Sequence, residues 1–217
     1  VMIALLNSMI VENVVAMVQS NYKRLLAYSS IGHVGFMLMG IAALSSIAIE
    51  GLSLYMIGYA VTTMAVFTAL TAFFNMTGRE DISDLGGLAD THPYFAAAIA
   101  VALFSLAGLP FFAGFTMKFY LFAAVGTEGF LWLAGLAIFN SFISLYYYLK
   151  MIREMYVKPT PDSVGLVMSQ SEGSNGISKP TKVITCLSVV LTLSIIYLGV
   201  YPLHLLKAIQ AATLSIW

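Results

Sequence analysis

The sequence predicts an all-α fold, a polytopic transmembrane bundle of about six helices, one of them broken. Of the 217 residues, 60% are apolar and 9% are charged, whereas a soluble domain has about 45–50% and about 25%. The apolar runs extend over about 20 residues, long enough for a helix to cross a hydrocarbon layer of about 30 Å. They lack the alternating pattern of an outer-membrane β-barrel. The outer surface of the bundle is therefore expected to face lipid.

The same composition excludes several classes of function. The formal net charge is zero, which argues against a nucleic-acid surface because phosphate binding needs a basic patch. The single cysteine, Cys186, excludes an internal disulfide. The sequence has no nucleotide-binding or metal-binding motif, so no cofactor or metal site is predicted. The chain opens in an apolar run with no basic segment before it, so we expect a chain entered within a helix and not a secretory signal peptide.

Six membrane spans are predicted from the apolar runs and the polar segments between them. They lie near residues 1–20, 28–48, 52–74, 94–125, 130–152 and 183–203. Charges and glycines mark residues 77–88 as a surface loop. Residues 157–182 are rich in serine, proline and glycine, so we predict a polar linker outside the membrane.

The lysines and arginines predict the orientation of these spans. With six spans the loops alternate sides, and Lys207 is then the one basic loop residue on its side, with Lys118 inside a span. By the positive-inside rule the more basic side is cytoplasmic. The linker is therefore predicted to be cytoplasmic and both chain ends to lie on the outer side. The basic residues of the cytoplasmic side are Lys23, Arg24, Arg79, Lys150, Arg153, Lys158, Lys179 and Lys182.

The fourth span is too long for one straight helix. Its residues 94–125 would reach about 48 Å, well beyond the hydrocarbon thickness. Pro110 removes a backbone donor, and Gly108 and Gly114 tolerate unwound backbone. The pattern is compatible with a proline kink or with a true break, and discontinuous helices mark ion sites in transporters. We predict an interruption near residues 106–112, with backbone groups turned toward polar side chains or water.

Two ionisable side chains within the spans are candidates for proton transfer. Lys118 follows the predicted break, and an amine kept in a low-dielectric interior can release and recapture protons. The alternative is a lysine that extends to the outer interface. His33 is predicted near the start of the second span, where it either relays protons or makes a hydrogen bond between helices.

Weaker candidates for a proton path are Glu12, Tyr55, Tyr59 and Thr63. Glu12 falls in the middle of the first span, where a carboxyl facing lipid would be costly, so it must face protein or water. If it is charged, a cationic partner is expected nearby. The two tyrosines and Thr63 follow a helical repeat of four residues along one face. That face either orders water or packs against another helix, with occasional hydrogen bonds.

Several segments resemble one family, the antiporter-like membrane subunits of respiratory complex I. The resemblance covers residues 1 to about 156, and the linker and last span match in hydropathy alone. The segments are NYKRLLAYSSIGHVGF (residues 21–36), DISDLGGL (81–88), SLAGLP (105–110), GF (114–115), KFY (118–120) and YYYLK (146–150).

The resemblance implies about fourteen helices in two inverted five-helix repeats, each with a broken helix. The chain would be the C-terminal half: a second repeat over 1–156, the linker over 157–182, and a final helix and tail over 183–217. Lys118 resembles the broken-helix lysine of the second half-channel, and His33 a member of the polar axis. Glu12 departs from the family, where a small residue such as glycine is usual.

The family also implies partners. The chain would contact lipid and other membrane subunits and move protons, while NADH and quinone are handled elsewhere and no cofactor is bound here. Other members carry glutamate at the position of Lys118, or histidines and a lysine near Tyr55, Tyr59 and Thr63, so the chain is most similar to members without them. The alternatives are a component of a sodium/proton antiporter or membrane-bound hydrogenase, or an inert truncated membrane component.

Overall fold

The structure, a computed structural model, describes residues 2–43, 45–161 and 182–214. These ranges form nine α-helices and no β-strand, with a single isolated bridge between Asn21 and Asp81. A 3-10 turn covers Ile82–Leu85. The helices are α1 (Met2–Met17), α2 (Tyr22–Ala43), α3 (Ser46–Thr77), α4 (Leu88–Thr91), α5 (Pro93–Ala107), α6 (Ala113–Thr127), α7 (Leu131–Val157), α8 (Lys182–Val200) and α9 (Leu203–Leu214).

The predicted all-α bundle with one broken span is confirmed. By length and composition, α2, α3, α7 and α8 can each cross a membrane. The helix α1 is shorter but apolar, and α5 and α6 together form the broken fourth span. The predicted linker falls largely on residues 162–181, which lie outside the described ranges.

The long helix α3 lies at the centre of the bundle. It packs against α2, α5, α6, α8 and α9. On one side, a first apolar cluster joins it to α2, α5 and α7 through residues such as Phe73, Leu103 and Met151. On the other side, a second cluster joins it to α1, α2 and α6 through Phe36 and Leu121. Polar side chains between the two clusters are therefore enclosed by protein.

Several connections meet at one end of the bundle. Asn21, between α1 and α2, bridges Asp81. Lys23 forms a salt bridge with Glu80, and the hydrogen bonds that Lys23 and Asn21 donate hold the pKa of the Glu80 carboxyl below its ordinary value. Residues 159–160, after α7, lie against the turn that precedes α4. The loops that the alternation of the spans predicts on one side of the membrane therefore lie together.

The basic residues are segregated between the two ends. Lys207 lies in α9, beyond the opposite end of α8, and Lys179 lies outside the described residues. At the end formed by the Asn21–Asp81 bridge, the helix termini and loops hold Lys23, Arg24, Arg79, Lys150, Arg153, Lys158 and Lys182.

Three local predictions differ from the structure. The second span begins at Tyr22 and not near residue 28, because Lys23 and Arg24 continue the helix while their charged heads reach the interface. The predicted surface loop contains Ile82 and Leu85, which are buried in the first cluster. The expected tail is the helix α9, which hydropathy misses since 12 residues are too few to span a membrane.

The first half of the broken span ends in a helix-terminating motif. Gly108 has φ 85°, a conformation that glycine adopts without strain. The amide of Leu109 donates to the Phe104 carbonyl at 3.0 Å and that of Gly108 to the Ser105 carbonyl at 2.9 Å. This is the Schellman pattern, after which proline is common. Pro110 has no N–H, so helical bonding cannot satisfy the carbonyl of Leu106.

The second half begins against the side chain of Ser105. Phe112, which precedes α6, provides no side-chain cap. The Ser105 hydroxyl instead accepts from the Gly114 amide at 2.9 Å and contacts the Thr62 hydroxyl at 3.1 Å, while Thr62 donates to the Gly58 carbonyl. The predicted interruption is confirmed, since the helix stops at Ala107 and resumes at Ala113.

Gly114→Ala should destabilise the break. A Cβ atom at Gly114 would lie 1.5 Å from the backbone carbonyl oxygen of Ser105, so the two half-helices must separate. Overpacking costs about 1–3 kcal/mol, which for this chain length lowers the melting temperature by roughly 2–12 °C. The measurement is fluorescence-detected size exclusion after heating in detergent.

Gly126→Ala is the matched control on the same helix. A Cβ atom there meets nothing within 4 Å, so its melting temperature should equal or exceed that of the parent chain. Equal melting temperatures for Gly114→Ala and Gly126→Ala would contradict the close approach of Gly114 to Ser105.

Candidate functional site

The side chain of Lys118 satisfies the carbonyl that Pro110 leaves free. Lys118 is 5% exposed, and its Nζ donates to the carbonyl oxygens of Leu106 at 2.9 Å and Ala107 at 3.4 Å. The ammonium thus replaces the missing backbone donor, and two carbonyl dipoles face its charge. In the described chain the head group lies against the break and does not extend along α6 to the interface.

One side of Lys118 borders a cavity of about 740 Å³ between α6 and α7. The cavity is partly open to the outside, and its walls are mostly apolar, including Phe119, Phe122, Ile138 and Phe142. On the opposite side the Nζ atom lies 5.4 Å from the ring centre of Phe36, an attractive arrangement for a cation. Lys118 therefore lies between an apolar cavity and the interior of the bundle.

His33 makes hydrogen bonds with both ring nitrogens. It is 2% exposed, with Nδ1 at 2.7 Å from the Tyr55 hydroxyl and Nε2 at 3.5 Å from the Tyr148 hydroxyl. The Tyr59 ring stacks on it at 4.7 Å. The prediction that His33 begins a span is wrong because α2 starts at Tyr22, which places the imidazole about 16 Å along the helix.

Glu12 lies in the protein interior, 1% exposed. The Tyr147 hydroxyl donates to Oε1 at 2.7 Å, and the Asn140 amide donates to Oε2 at 3.5 Å. A Cβ atom on Gly32 would lie 1.2 Å from Oε2, so the carboxyl occupies the space above that glycine. A cation is expected beside a charged Glu12. Among the described residues, however, no ion pair includes Glu12.

The tyrosine hydroxyls connect these groups. Ser29 is hydrogen-bonded to the Tyr148 hydroxyl, and the rings of Tyr147 and Tyr148 pack with their centres 4.6 Å apart. A row of polar groups therefore crosses α1, α7, α2 and α3, in which Tyr147 bonds Glu12, Tyr148 bonds Ser29 and His33, and His33 bonds Tyr55. We call this set the polar chain. Phe36 lies near both Lys118 and this set, with its ring centre 5.4 Å from Nζ and 6.0 Å from the ring centre of His33.

Only part of the predicted hydroxyl face of α3 joins the site. Tyr55 is fully buried and bonds His33, and Tyr59 stacks on the same ring. The buried hydroxyl of Thr63 has no hydrogen-bond partner among the described residues. Its neighbour Thr62, which the repeat of four residues does not select, contacts Ser105 at the break.

Sequence reasoning missed several members of the site. Tyr147, Tyr148 and Ser29 lie in segments that support the family resemblance, but no role was predicted for them. Asn13 and Asn140 bond each other in the interior. Glu12 was identified because a polar group facing lipid is costly. The same reasoning applies to both asparagines and could have identified them.

The described residues offer no ligand set for a metal ion, since no three His, Cys, Asp or Glu side chains cluster there. The polar groups of the site are instead a lysine, an imidazole, a carboxyl and hydroxyls. Such groups can donate and accept protons.

Residues 1–144, more than half of the chain, match the model of the family described as "NADH:quinone oxidoreductase/Mrp antiporter, TM". The chain belongs to this family. The match includes the broken span, Lys118, His33 and Glu12.

Curated relatives carry the name NADH-quinone oxidoreductase subunit N. The protein from Moorella thermoacetica is 38% identical over 90% of this chain and 39% of its own length. The protein from Heliobacterium modesticaldum is 34% identical over 97% of this chain and 42% of its own length. For the protein from Rhodospirillum rubrum the identity is 44%, over 69% of this chain and 31% of its own length. The chain thus spans well under half of these relatives.

Solved structures have the same fold. A chain of respiratory complex I from Thermus thermophilus with bound aureothin is 28% identical with a TM-score of 0.75, over 94% of this chain and 44% of that one. A chain of the archaeal membrane-bound sulfane sulfur reductase is 26% identical with a TM-score of 0.80, over 97% and 40%. A chain of the Mrp complex from Dietzia sp. is 23% identical with a TM-score of 0.79, over 95% of this chain and 45% of that one. At this identity the likeness shows the fold alone.

Gly32→Ala should move the Glu12 carboxyl away from Tyr147. The three atoms nearest to the added Cβ all belong to that carboxyl, and overpacking costs about 1–3 kcal/mol. In a Glu12→Gly background the same change should be neutral or stabilising, since alanine favours a helix over glycine by about 1 kcal/mol. Thermal unfolding of the four variants in detergent measures this coupling. An equal effect of Gly32→Ala in both backgrounds would show that Glu12 does not occupy this space.

Proposed function

We propose that this chain is part of a proton-translocating membrane subunit of an NADH-quinone oxidoreductase in the cell membrane. Redox chemistry in other membrane and peripheral subunits would drive the proton transfer, and NADH and quinone would be handled by those subunits with no cofactor bound here. The relatives named subunit N, at 34–44% identity, support this class of complex. The names of these relatives agree with the sequence analysis. This chain has no glutamate at the position of Lys118 and no histidine or lysine at Tyr55, Tyr59 and Thr63, so it resembles the members that lack those residues.

The observation that carries the proposal is the position of Lys118. A charged amine is costly inside a membrane protein unless polar groups compensate it. The carbonyls of Leu106 and Ala107 provide that compensation, and they are free because the helix is broken at Pro110. Movement of the amine away from them removes the compensation, so the proton is then released more readily. Lys118 is therefore the proposed proton carrier.

His33 is the proposed acceptor and donor next to Lys118. Its two ring nitrogens face different hydroxyls, those of Tyr55 and Tyr148, so a proton taken up at one nitrogen can be released at the other. The Phe36 ring lies near both the amine and the imidazole, and the described hydrogen bonds of Lys118 go to Leu106 and Ala107 and not to His33. Transfer between the two groups therefore requires a bridging water or a side-chain movement.

A sodium/proton antiporter component would share the broken helix and Lys118. The likeness to the Mrp complex at 23% identity extends to the fold alone, so no observation specific to the site favours this second function. An inert membrane component would contain the same helices but would not depend on the charge of Lys118.

Lys118→Met should reduce proton pumping at least about tenfold without loss of assembly, because methionine keeps the volume of the stem but has no titratable group. Lys118→Arg should also be impaired, since a guanidinium holds its proton. The measurement is proton uptake by inverted membrane vesicles that contain the complete complex, together with NADH oxidation and subunit content. The control is Lys207→Met, which removes an exposed lysine. Normal uptake in an assembled Lys118→Met complex would refute the proposed function.

We further propose that the end with the Asn21–Asp81 bridge faces the cytoplasm, so that residues 157–182 are cytoplasmic and the C-terminus lies on the outer side. The support is the concentration of lysine and arginine at that end and the positive-inside rule. Ser83 and Glu128 are exposed positions at the two opposite ends.

Single cysteines at these two positions test the orientation. In a Cys186→Ser background, Glu128→Cys should react with a membrane-impermeant thiol reagent in intact cells, and Ser83→Cys should react only after the membrane is opened. The reverse order of labelling would invert the orientation.

A further inference from the structure

We infer that Glu12 is a second proton carrier, which exchanges protons with His33 through Tyr147, Ser29 and Tyr148. This inference rests on the proposed function and adds a residue to the same site. The carboxyl stands at a position where the resemblance implies a small residue such as glycine.

The carboxyl of Glu12 lies where both of its protonation states are accessible. It is 1% exposed, and its hydrogen-bond donors, the Tyr147 hydroxyl and the Asn140 amide, are neutral. A buried carboxylate without a bonded cation is costly, whereas two donors lower that cost. The protonated carboxyl avoids that cost and the ionised carboxyl keeps both donors, so the group can either hold or give up a proton.

The surroundings of the carboxyl are arranged around it. Gly32 leaves room for Oε2. The Asn13 amide donates to the side-chain and backbone oxygens of Asn140, which orients the Asn140 amide toward Glu12. These residues come from α1, α2 and α7, so three helices position one carboxyl.

The proton step is balanced between His33 and Glu12. The Tyr147 hydroxyl gives its proton to Oε1, Tyr147 takes one from Ser29, Ser29 takes one from Tyr148, and Tyr148 takes one from Nε2 of the imidazolium. One N–H bond breaks at the imidazole and one O–H bond forms at the carboxyl. Each hydroxyl gives and receives one proton, so an imidazolium and a carboxylate become a neutral imidazole and a carboxylic acid. No net charge enters the interior.

The test compares Glu12→Gln with the parent complex in inverted membrane vesicles. Glutamine keeps the size of the side chain and an oxygen that accepts from Tyr147, but it cannot bind the proton. We expect an assembled complex with proton uptake at least about tenfold slower, because a positioned proton-transfer group contributes about 10²–10⁴-fold in rate. Glu128→Gln removes an exposed carboxyl and should behave like the parent. Infrared difference spectra between low and high pH should lose one buried carboxylic-acid band in Glu12→Gln alone.

The outcomes separate this inference from the proposed function. Parent-like uptake and an unchanged infrared spectrum in Glu12→Gln, with uptake lost in Lys118→Met, would overturn the inference and leave the proposed function standing. Parent-like uptake in both variants would refute both. If Glu12→Gln does not assemble, Tyr147→Phe decides, since it interrupts the polar chain and leaves the carboxyl in place. Reduced uptake in that variant supports the inference, and normal uptake overturns it.

Discussion

The bond from Lys118 to the carbonyl of Leu106 is the interaction on which the arrangement of the site depends. In a membrane every backbone polar group needs a partner within the protein. Pro110 withdraws the donor that a continuous helix would provide, and the ammonium replaces it at 2.9 Å. The same bond lowers the cost of burying the charge. Each of the two groups would be unfavourable alone, and together they hold α5 and α6 in a fixed relation around an unwound segment.

The two apolar clusters determine where the polar chain lies. Packing among α1, α2, α3 and α7 buries Glu12 and His33 at the boundary between these clusters. At such depth an unpaired polar group costs several kcal/mol, so each helix must bring a partner of matching chemistry. Tyr147 meets Glu12 and Tyr148 meets His33. These pairings fix the rotation of α7 relative to α1 and α2, which apolar side chains alone specify poorly.

Hydropathy and residue type predict the spans and the break, because the length of an apolar run and the missing donor of Pro110 are local properties. They also identify Lys118, His33 and Glu12, since an ionisable group within a span is conspicuous. They do not identify the partners. Helices in this bundle are apolar on most faces, so the sequence does not show that Thr62 and not Thr63 points to the break. Nor does the run of tyrosines before Lys150 reveal that two of them turn inward.

The direction of proton exchange at Lys118 follows from what surrounds it. The cavity between α6 and α7 has apolar walls, and protons do not cross apolar space without water or titratable groups. The amine also lies near the Phe36 ring, which packs against His33 of the polar chain. Hydration of the cavity would provide an outward route, whereas water or side-chain movement beside Phe36 would provide an inward one. Because a charged amine is bound by carbonyl oxygens more strongly than a neutral one, each release weakens the bonds to Leu106 and Ala107, which can then accept from water. Release of the proton therefore favours hydration of the break.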